Sequence, residues 1–290
     1  MVTNFENKPI PSLPPLSVVV PVYNEEKTLA LVVQKLLVIP HLLEIIIVDD
    51  GSTDATAEIA SSLMASHKQV RFQRLEKNSG KTAALKAGFK LTRGEVVIVQ
   101  DADLEYDPQE IAEVIQPILD GHADVVFGSR FLVRRAARVL YFYHFLANKT
   151  LTFLSNLFTN LNMTDIETGY KAFRGDIVRN MIIVSRNFGF EVEATAKVAK
   201  LKGAIYEVPI SYYGRTYSEG KKIGFRDGLI ALWLILRFNL FWTLNSSYRE
   251  IPQMTPGPRQ KNLSLASDDY PGLSPDVLPA SRRSTARPPA

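Results

Sequence analysis

The sequence predicts an α/β fold with a mostly parallel central sheet and helices on both faces of that sheet. Apolar runs of strand length, rich in Val and Ile, alternate with segments of helical periodicity, and this alternation is typical of βαβ units. The runs are almost uninterrupted, as expected of strands that are buried on both faces. With 290 residues, of which 46% are hydrophobic, the chain can also supply a sizeable core.

Strands and helices follow each other regularly along the first half of the chain. Strands are predicted at five runs, the third of which is weaker: 17–23, 44–50, 70–76, 95–101 and 124–128. Helices are predicted between and after them, at 25–38, 54–66, 80–91 and 108–120. After residue 130 we expect an aromatic helix, a loop, a helix, a short strand and an apolar helix, in the order 139–158, 164–174, 191–201, 205–210 and 229–244.

The last part of the chain differs in composition from the rest. Residues 249–290 contain eight of the 17 prolines, amid Ser, Arg and Asp. A segment of this kind buries too little apolar surface to fold by itself. We therefore predict a disordered tail over these residues, and we find no internal repeat.

Composition excludes several kinds of site. The chain has no cysteine, so it has no disulfide, no thiolate zinc site and no cysteine nucleophile, and any metal must be held by oxygen or histidine. The net charge of +4 suits an anionic ligand or an anionic membrane surface but requires neither. The first 15 residues lack the basic start and apolar segment of a signal peptide, so we expect the protein to face the cytosol.

Two segments approach the apolar content of a membrane span without reaching the ~20 uninterrupted residues that a span needs. Segment 139–158 is dense in aromatic residues and follows Arg134, Arg135 and Arg138, whereas 229–244 is interrupted by polar residues. Basic residues beside an aromatic amphipathic helix suit binding to lipid headgroups. An ordinary core helix explains the apolar content equally well, so both interpretations remain open.

Carboxylates follow two of the predicted strands directly. The run 95–100 ends in Asp101, Asp103 and Glu105, and a second buried run ends in Asp49 and Asp50. Alternate residues of an extended chain point to one side, so the first group can face a single hard cation that prefers oxygen ligands. A solvated acidic loop or a helix N-cap is the alternative. Because ligands bind beyond the carboxyl ends of strands in open parallel sheets, two such clusters favour a metal and phosphate site.

Lys81 lies in a segment, Asn-Ser-Gly-Lys-Thr, that invites comparison with a phosphate-binding loop. The motif is incomplete because its first glycine would be at position 75, which is Leu75. The segment therefore predicts either a lysine near a nucleotide ligand or only the cap of a helix.

An ordered series of motifs resembles the family 2 glycosyltransferases with the GT-A fold, and among them the dolichol-phosphate mannose synthases and polyprenyl-phosphate glycosyltransferases. The resemblance covers residues 16–240. Its motifs are VVVPVYNEE, IIIVDDGSTD, NSGKTAALKAGF, VVIVQDADLEYDP, VVFGSRF, TDIETGYKAFR and EVPISYYGRTYSEGKK. The resemblance implies a nucleotide-sugar-binding half over 16–130 and an acceptor-binding half with amphipathic interfacial helices over 131–248, with a flexible segment 1–15 before them and the tail after them.

The resemblance also implies roles for individual residues. The donor-binding set is Pro21, Tyr23, Glu25, Asp49, Asp50, Lys81, Asp101 and Arg130. Asp101 and Asp103 are implied to hold Mg²⁺ or Mn²⁺ on the donor diphosphate, with Glu105 as a third ligand where close relatives often have glutamine. The acceptor-phosphate set is Arg130, Arg174, Arg215 and Lys221, of which Arg215 joins Asp101 and Asp103 as catalytic. Asp165, Gly169 and Lys171 are implied to be structural or to lie on the acceptor side.

The function implied is metal-dependent, inverting transfer of mannose or glucose from GDP-mannose or UDP-glucose to a polyprenyl or dolichyl phosphate. The expected site is the cytosolic membrane surface, with a possible membrane-protein partner and no nucleic-acid partner. A lipid phosphate is already anionic, so no catalytic base is required. For a sugar hydroxyl acceptor in surface polysaccharide synthesis, the candidate bases are Asp165, Glu191 and Glu193. A nucleotide-binding protein without transferase activity is the remaining alternative.

Overall fold

The computed structural model describes residues 14–132, 141–214 and 225–254. In this part of the chain, seven strands form one sheet in the order β3-β2-β1-β4-β6-β5-β7. The strands are β1 (Leu16–Val22), β2 (Leu42–Asp49), β3 (Val70–Arg74), β4 (Val96–Val99), β5 (Val125–Ser129), β6 (Lys171–Arg174) and β7 (Ile205–Pro209). The α-helices are α1 (Leu29–Leu37), α2 (Thr56–Ser66), α3 (Lys81–Leu91), α4 (Ile111–Leu119), α5 (Phe142–Thr159), α6 (Gly175–Asn180), α7 (Phe190–Leu201), α8 (Phe225–Leu240) and α9 (Leu244–Ser247).

The predicted mostly parallel sheet is confirmed. The strands β1, β2, β3, β4, β5 and β7 run in one direction, while β6 runs antiparallel between β4 and β5. Each of the six predicted strands is present to within one or two residues. The helices α1 to α5 begin slightly later than predicted, whereas α7 and α8 begin earlier. In α1, for example, Glu25 first forms a turn in which its carbonyl accepts from the amides of Thr28 and Leu29 at 3.2 and 3.0 Å.

The prediction of a loop over 164–174 is wrong at its C-terminal end. Lys171–Arg174 is the central antiparallel strand β6, and α6 follows it directly. The strand has only four residues and begins and ends with a cation, so it lacks the apolar run that revealed the other strands. It is stable because β4 and β5 bond to it on both sides and because Lys171 is fully buried.

Both faces of the sheet are covered, as predicted. On β1, Val18 and Val20 pack into a cluster that includes Leu29 of α1, whereas Val19 between them packs on the opposite face with Leu85 of α3. This alternation explains the continuous apolar sequence of β1, because neither face meets water. Each such fully buried aliphatic side chain contributes about 1.5–3 kcal/mol.

The C-terminal helices extend the second face. Phe190 of α7 and Ile235 and Phe238 of α8 join the cluster that α3 begins, and α5 packs against α7 and α8. An isolated bridge joins Tyr248 to Met181 and fastens the end of this region. No helix in the described part of the chain combines the length and apolar content that crossing a bilayer requires.

Parts of three predicted segments fall outside the described residues: most of the flexible start, 1–15, and most of the tail, 249–290, together with the basic residues Arg134, Arg135 and Arg138. The first tail residues are described, and the Arg249 amide donates to the Asn180 carbonyl at 2.9 Å. The division into two halves at residue 130 stays a prediction.

Candidate active site

The carboxyl edge of the parallel strands brings together the loops that follow β1, β2 and β4. The amide of Asp50, directly after β2, donates to the Val22 carbonyl of β1 at 2.8 Å, and the amide of Gln100, after β4, donates to Val19 at 3.0 Å. Ligands of open α/β sheets bind at this edge. The candidate site is therefore built from strand ends and from the helix starts that face them.

The predicted donor residues of the first loop lie at this edge. Pro21 is buried within β1, while Tyr23 and Glu25 are partly exposed just beyond it. The Glu25 amide donates to Thr56 Oγ1 at 2.9 Å, which ties this loop to the start of α2. The structure thus brings Tyr23 and Glu25 beside the loop that follows β2.

Asp49 and Asp50 hold the surrounding loops in place. The amides of Ser79 and Gly80 donate to Asp50 Oδ1 and Oδ2 at 2.8 and 2.7 Å, and Arg74 Nε lies 3.2 Å from Asp49 Oδ2. Burial raises the pKa of Asp50 despite the two amide bonds, and the charge of Asp49 adds to this effect. Asp50 therefore joins the end of β2 to the start of α3.

Lys81 at the start of α3 joins two carboxylates from different elements. Its ammonium lies 2.8 and 2.9 Å from Asp101 Oδ1 and Oδ2 and 3.1 Å from Glu191 Oε1 of α7. Burial alone would lower the pKa of Lys81, but the charges of Asp101 and Glu191 outweigh it and raise that pKa. The lysine is therefore held as a cation, and its attraction orients the first carboxylate of the Asp-x-Asp sequence.

Asp103 and Glu105 follow Asp101 on the same loop. The Glu105 amide donates to Asp103 Oδ1 at 3.1 Å, and the Tyr212 hydroxyl donates to Glu105 Oε2 at 2.9 Å. Within the described ranges, no three carboxylates or imidazoles already form a metal cage. A carboxylate has about four lone-pair sites. Lys81 binds once to each Asp101 oxygen, so Asp101 retains lone pairs that fit a hard divalent cation.

Arg130 after β5 forms a buried ion pair with Asp165. Its Nε and Nη2 donate to Asp165 Oδ2 and Oδ1, both at 2.7 Å, and its own amide adds a bond of 3.1 Å. Burial alone would raise the pKa of Asp165, but Arg130 outweighs it, and the pKa is lowered. The guanidinium also lies 5.2 Å from the ring centre of Tyr212. Arg130 therefore lies at the carboxyl edge of the sheet, where two nitrogens of its guanidinium bond the two oxygens of Asp165.

The loop before β6 lies directly against Asp101. A Cβ added at Gly169 would be 2.5 Å from Asp101 Oδ2 and 3.0 Å from Lys81 Nζ, so only glycine allows this approach. Lys171 Nζ donates to the carbonyls of Ile166 and Thr168, which holds the loop from below. Lys171 is therefore a buried structural cation of this loop.

Comparison with known proteins identifies the family. The family described as Glycosyl transferase family 2 matches residues 17–182, which is more than half of the chain. The chain belongs to glycosyl transferase family 2. This result confirms the resemblance seen in the motifs, and the protein is a glycosyltransferase.

Curated relatives of this glycosyltransferase match most of its length. An undecaprenyl-phosphate mannosyltransferase of Micrococcus luteus is 31% identical over 242 residues, covering 77% of this chain and 97% of the relative. A polyprenol monophosphomannose synthase of Mycolicibacterium smegmatis is 29% identical over 214 residues, covering 71% and 80%. These relatives confirm the resemblance to the polyprenyl-phosphate group.

Solved structures confirm the GT-A fold expected from the resemblance. Glucosyl-3-phosphoglycerate synthase of Mycobacterium tuberculosis, in complex with Mn²⁺ and UDP-glucose, superposes with a TM-score of 0.61 over 78% of this chain and 79% of that chain. The identity is 18%. At this identity, the likeness concerns the fold alone.

One predicted phosphate-binding residue of the glycosyltransferase lies elsewhere. Arg174 pairs with Val96, the first residue of β4, because β6 runs antiparallel. Asp101 lies five positions after Val96, which corresponds to roughly 16 Å at ~3.3 Å per residue. Arg174 instead forms ion pairs with Asp124 at 2.8 Å and Asp176 at 2.6 Å. Arg174 therefore lies at the amino edge of the sheet, away from Asp101, because β6 is an antiparallel strand where the sequence predicts a loop. Its role at the acceptor phosphate stays a prediction.

Arg215 and Lys221, the other predicted phosphate contacts, lie outside the described residues. Their roles, like the assignments of Asp101, Asp103 and Glu105 to a metal, stay predictions. Glu167 was missed, although it stands inside the motif TDIETGY beside Asp165 and Gly169. Its partly exposed side chain has a buried Oε1 that accepts no hydrogen bond from any described residue. A single carboxylate in an aperiodic loop gives no sequence signal of such an environment.

Proposed function

We propose that this glycosyltransferase moves a hexose, mannose or glucose, from GDP-mannose or UDP-glucose to a polyprenyl phosphate at the cytosolic face of a membrane. The observation that carries the proposal is the 31% identity to an undecaprenyl-phosphate mannosyltransferase over 97% of that protein. The geometry supports a phosphate acceptor. Each of the predicted bases for a hydroxyl acceptor is bound to a cation: Asp165 to Arg130, Glu191 to Lys81 and Glu193 to Lys197.

The reaction needs no proton transfer if the acceptor is a phosphate. An oxygen of the acceptor phosphate forms the new bond to the anomeric carbon, and the bond from that carbon to the donor diphosphate breaks. The nucleoside diphosphate leaves with the electron pair, and the anomeric carbon is inverted. Rate then comes from holding donor and acceptor in line and from stabilising the charge on the leaving group.

Asp101 and Asp103 would hold the divalent cation, Mg²⁺ or Mn²⁺, with Glu105 at the end of the same loop. Such a cation neutralises the negative charge that develops on the leaving diphosphate. Lys81 orients Asp101, because it bonds both carboxylate oxygens. Asp50 bonds the amides that precede α3, so it fixes the start of this helix and thereby holds Lys81 beside Asp101.

The packed helices α5 and α8 supply a surface for the lipid acceptor. Several apolar side chains on both helices are at least half exposed, including Phe153 at 66% and Trp233 at 57%. In the rest of the described chain, most apolar side chains of this size are buried. Aromatic residues of this kind favour the interface between lipid headgroups and acyl chains. We infer that this face rests on the membrane and presents the edge of the sheet to the acceptor phosphate.

The membrane contact is tested by replacing Phe153 and Trp233 together with glutamate. Loss of two aromatic insertions lowers binding to anionic vesicles by at least ~100-fold, since each buried aromatic contributes ~1.5–3 kcal/mol. Co-sedimentation with vesicles measures this. Val38→Glu, at an apolar residue that directly follows α1 and is 75% exposed, is the matched control and leaves binding unchanged. Equal binding by the double variant would contradict the assigned face.

A sugar hydroxyl is the second candidate acceptor, and Glu167 is the observation that favours it. Burial raises the pKa of Glu167 to about 7, and the charge of Glu191 adds to this effect. A carboxylate with a pKa near neutrality is suited to remove a proton from a hydroxyl. The product separates the candidates, because only transfer to a lipid phosphate yields an acid-labile glycolipid.

The proposed function is tested with purified protein, Mg²⁺ or Mn²⁺, and a short-chain polyprenyl phosphate. Labelled GDP-mannose, UDP-glucose and related donors are supplied singly, and label is counted in the organic phase. We expect metal-dependent, acid-labile lipid product from one donor. Label that appears only in water-soluble saccharide would favour the hydroxyl acceptor, and no turnover of any donor would contradict both.

A further inference from the structure

Two carboxylates beside Asp101 have an oxygen that is buried and unused. Glu191 is only 5% exposed; its Oε1 bonds to Lys81, whereas its Oε2 accepts no hydrogen bond from any residue that the structure describes. The same is true of Glu167 Oε1. Buried carboxylate oxygens without a donor are costly. Two of them at one site indicate that a ligand supplies the missing hydrogen bonds.

Glu167 and Glu191 belong to one small region. Lys81 joins Glu191 to Asp101, and Gly169 lets the loop that carries Glu167 approach both Asp101 and Lys81 closely. The charge of Glu191 also acts on Glu167, whose pKa is raised to about 7 by burial first and by Glu191 second. The two carboxylates therefore stand together, next to the Asp-x-Asp sequence.

The charges of this region determine the kind of ligand. Its cations already have partners: Lys81 bonds Asp101 and Glu191, Arg130 bonds Asp165, and Lys171 bonds the carbonyls of the loop before β6. A phosphate at the unused oxygens would meet carboxylates whose neighbouring cations are committed, so it would be repelled. A neutral group with several O–H donors satisfies both oxygens without adding charge. Sugar hydroxyls have this chemistry.

We infer that Glu167 and Glu191 bind hydroxyls of the transferred sugar and thereby determine which hexose the enzyme accepts. This inference rests on the proposed function, since it assigns the sugar part of the donor to these two residues. Hydrogen bonds from hydroxyls to buried carboxylates depend on the position of each hydroxyl, so an epimer leaves one oxygen unpaired. Discrimination of ten-fold or more between epimers follows, because a site built to bond a hydroxyl rejects a sugar that lacks it there.

Glu193, two residues after Glu191 on α7, shows how a structural carboxylate differs. Its Oε1 and Oε2 accept from the Val184 amide at 2.9 and 3.2 Å, Oε2 accepts from the Ser185 amide at 2.8 Å, and Lys197 forms an ion pair with it. Both oxygens of this fully buried group are used. Glu193 holds the chain before α7, whereas Glu191 keeps an oxygen for a ligand.

The test compares binding of nucleotide sugars with binding of the matching nucleoside diphosphate, by calorimetry with Mg²⁺ or Mn²⁺ and without acceptor. Glu167→Gln and Glu191→Gln keep the shape of each side chain. We expect each to weaken binding of the preferred nucleotide sugar about ten-fold and to reduce its preference over the epimeric donors. Binding of the nucleoside diphosphate alone changes less than two-fold. Glu193→Gln, the matched control, lowers the melting temperature and leaves the preference among sugars unchanged.

Three results would overturn the inference. Equal weakening of nucleotide sugar and nucleoside diphosphate would assign the pair to the diphosphate. Unchanged binding by both variants would make the pair structural, and unchanged binding with a large fall in kcat for Glu167→Gln would make Glu167 a base. Failure of the proposed function looks different, because wild-type protein would then bind nucleotide sugars normally and yet label no lipid.

Discussion

Carboxylates with buried oxygens stand at both edges of the sheet, but they are used differently. At the amino edge, Glu44 accepts from Ser17 at 2.8 Å, from Arg71 at 3.0 Å, and from the amide and side chain of Arg93. Burial alone would raise the pKa of Glu44, but these bonds outweigh it and lower the pKa. At the carboxyl edge, Glu167 and Glu191 each keep an oxygen that no described residue bonds.

Residue type alone does not separate structural charge from functional charge. Arg174 with Asp124, and Arg130 with Asp165, are both ion pairs between an arginine and an aspartate, and both arginines matched motifs of the family. What differs is their place relative to the strand ends. Pairs at the amino edge fasten the chain, whereas those at the carboxyl edge surround the place where ligands bind.

The largest effect is expected for Asp103→Asn. Removing a carboxylate assigned to the cation lowers kcat about 10³-fold, a size typical of lost electrostatic stabilisation of a transition state. The Glu105 amide still has an oxygen acceptor at residue 103, so the melting temperature stays near that of the wild type. Steady-state rates at saturating metal measure the effect. A kcat within three-fold of wild type would remove Asp103 from the chemistry.

Arg130→Met is expected to cost about 3–5 kcal/mol of unfolding free energy, because it leaves Asp165 buried without its partner. Urea denaturation measures this. The paired variant Arg130→Met with Asp165→Leu removes both charges and recovers much of the stability, since buried ion pairs are often replaceable by apolar residues. If the pair serves only stability, the double variant also regains turnover; we expect it to remain inactive.

Glu44→Gln tests the amino edge with a smaller change. It removes the charge that Arg71 and Arg93 share and costs about 1–3 kcal/mol of unfolding free energy. Turnover and donor binding stay at wild-type values, because the site lies at the other end of the strands. A fall in kcat at unchanged stability would show that the two edges are not separate in function.

The smallest effect concerns pH and Glu167. The pKa of this carboxyl is raised to about 7 from its usual 4.5, so the native state binds more protons than the unfolded state between these values. Stability from Glu167 is therefore greatest below pH 4.5 and is lost as pH rises to 7. The Glu167→Gln variant has no carboxyl at this position and therefore does not lose this stability. The difference between its melting temperature and that of the wild type increases by about 3–5 °C, in favour of the variant, between pH 5 and pH 7.5. A constant difference would contradict the shift.

Sequence reasoning predicted the fold where apolar periodicity was strong. The runs that became β1, β2 and β4 are buried on both faces, and their carboxyl ends located Asp50 and Asp101 correctly. Motif order then identified the family. What failed was β6, since four residues bounded by Lys171 and Arg174 carry no periodic signal.

The partners of the charged residues were also beyond sequence reasoning. The sequence predicts Lys81 as a nucleotide contact, but it does not predict that the ammonium of Lys81 lies between Asp101 and Glu191. Glu191 is 110 residues away along the chain, and only the packing of α7 beside α3 brings the two together. In the same way, the burial of Glu167 Oε1 is a result of how the folded chain packs, and it has no signal in the sequence.

The most direct test compares Asp101→Asn with Asp124→Asn, since both aspartates are bound by cations, Asp101 at the carboxyl edge of the sheet and Asp124 at the amino edge. Transfer of labelled hexose to polyprenyl phosphate and thermal melting are followed for both in the same preparation. The account predicts that Asp101→Asn abolishes transfer and keeps its melting temperature, while Asp124→Asn melts several degrees lower, about 2–4 °C for each kcal/mol lost, and keeps its kcat. Transfer by Asp101→Asn at the wild-type rate would contradict it.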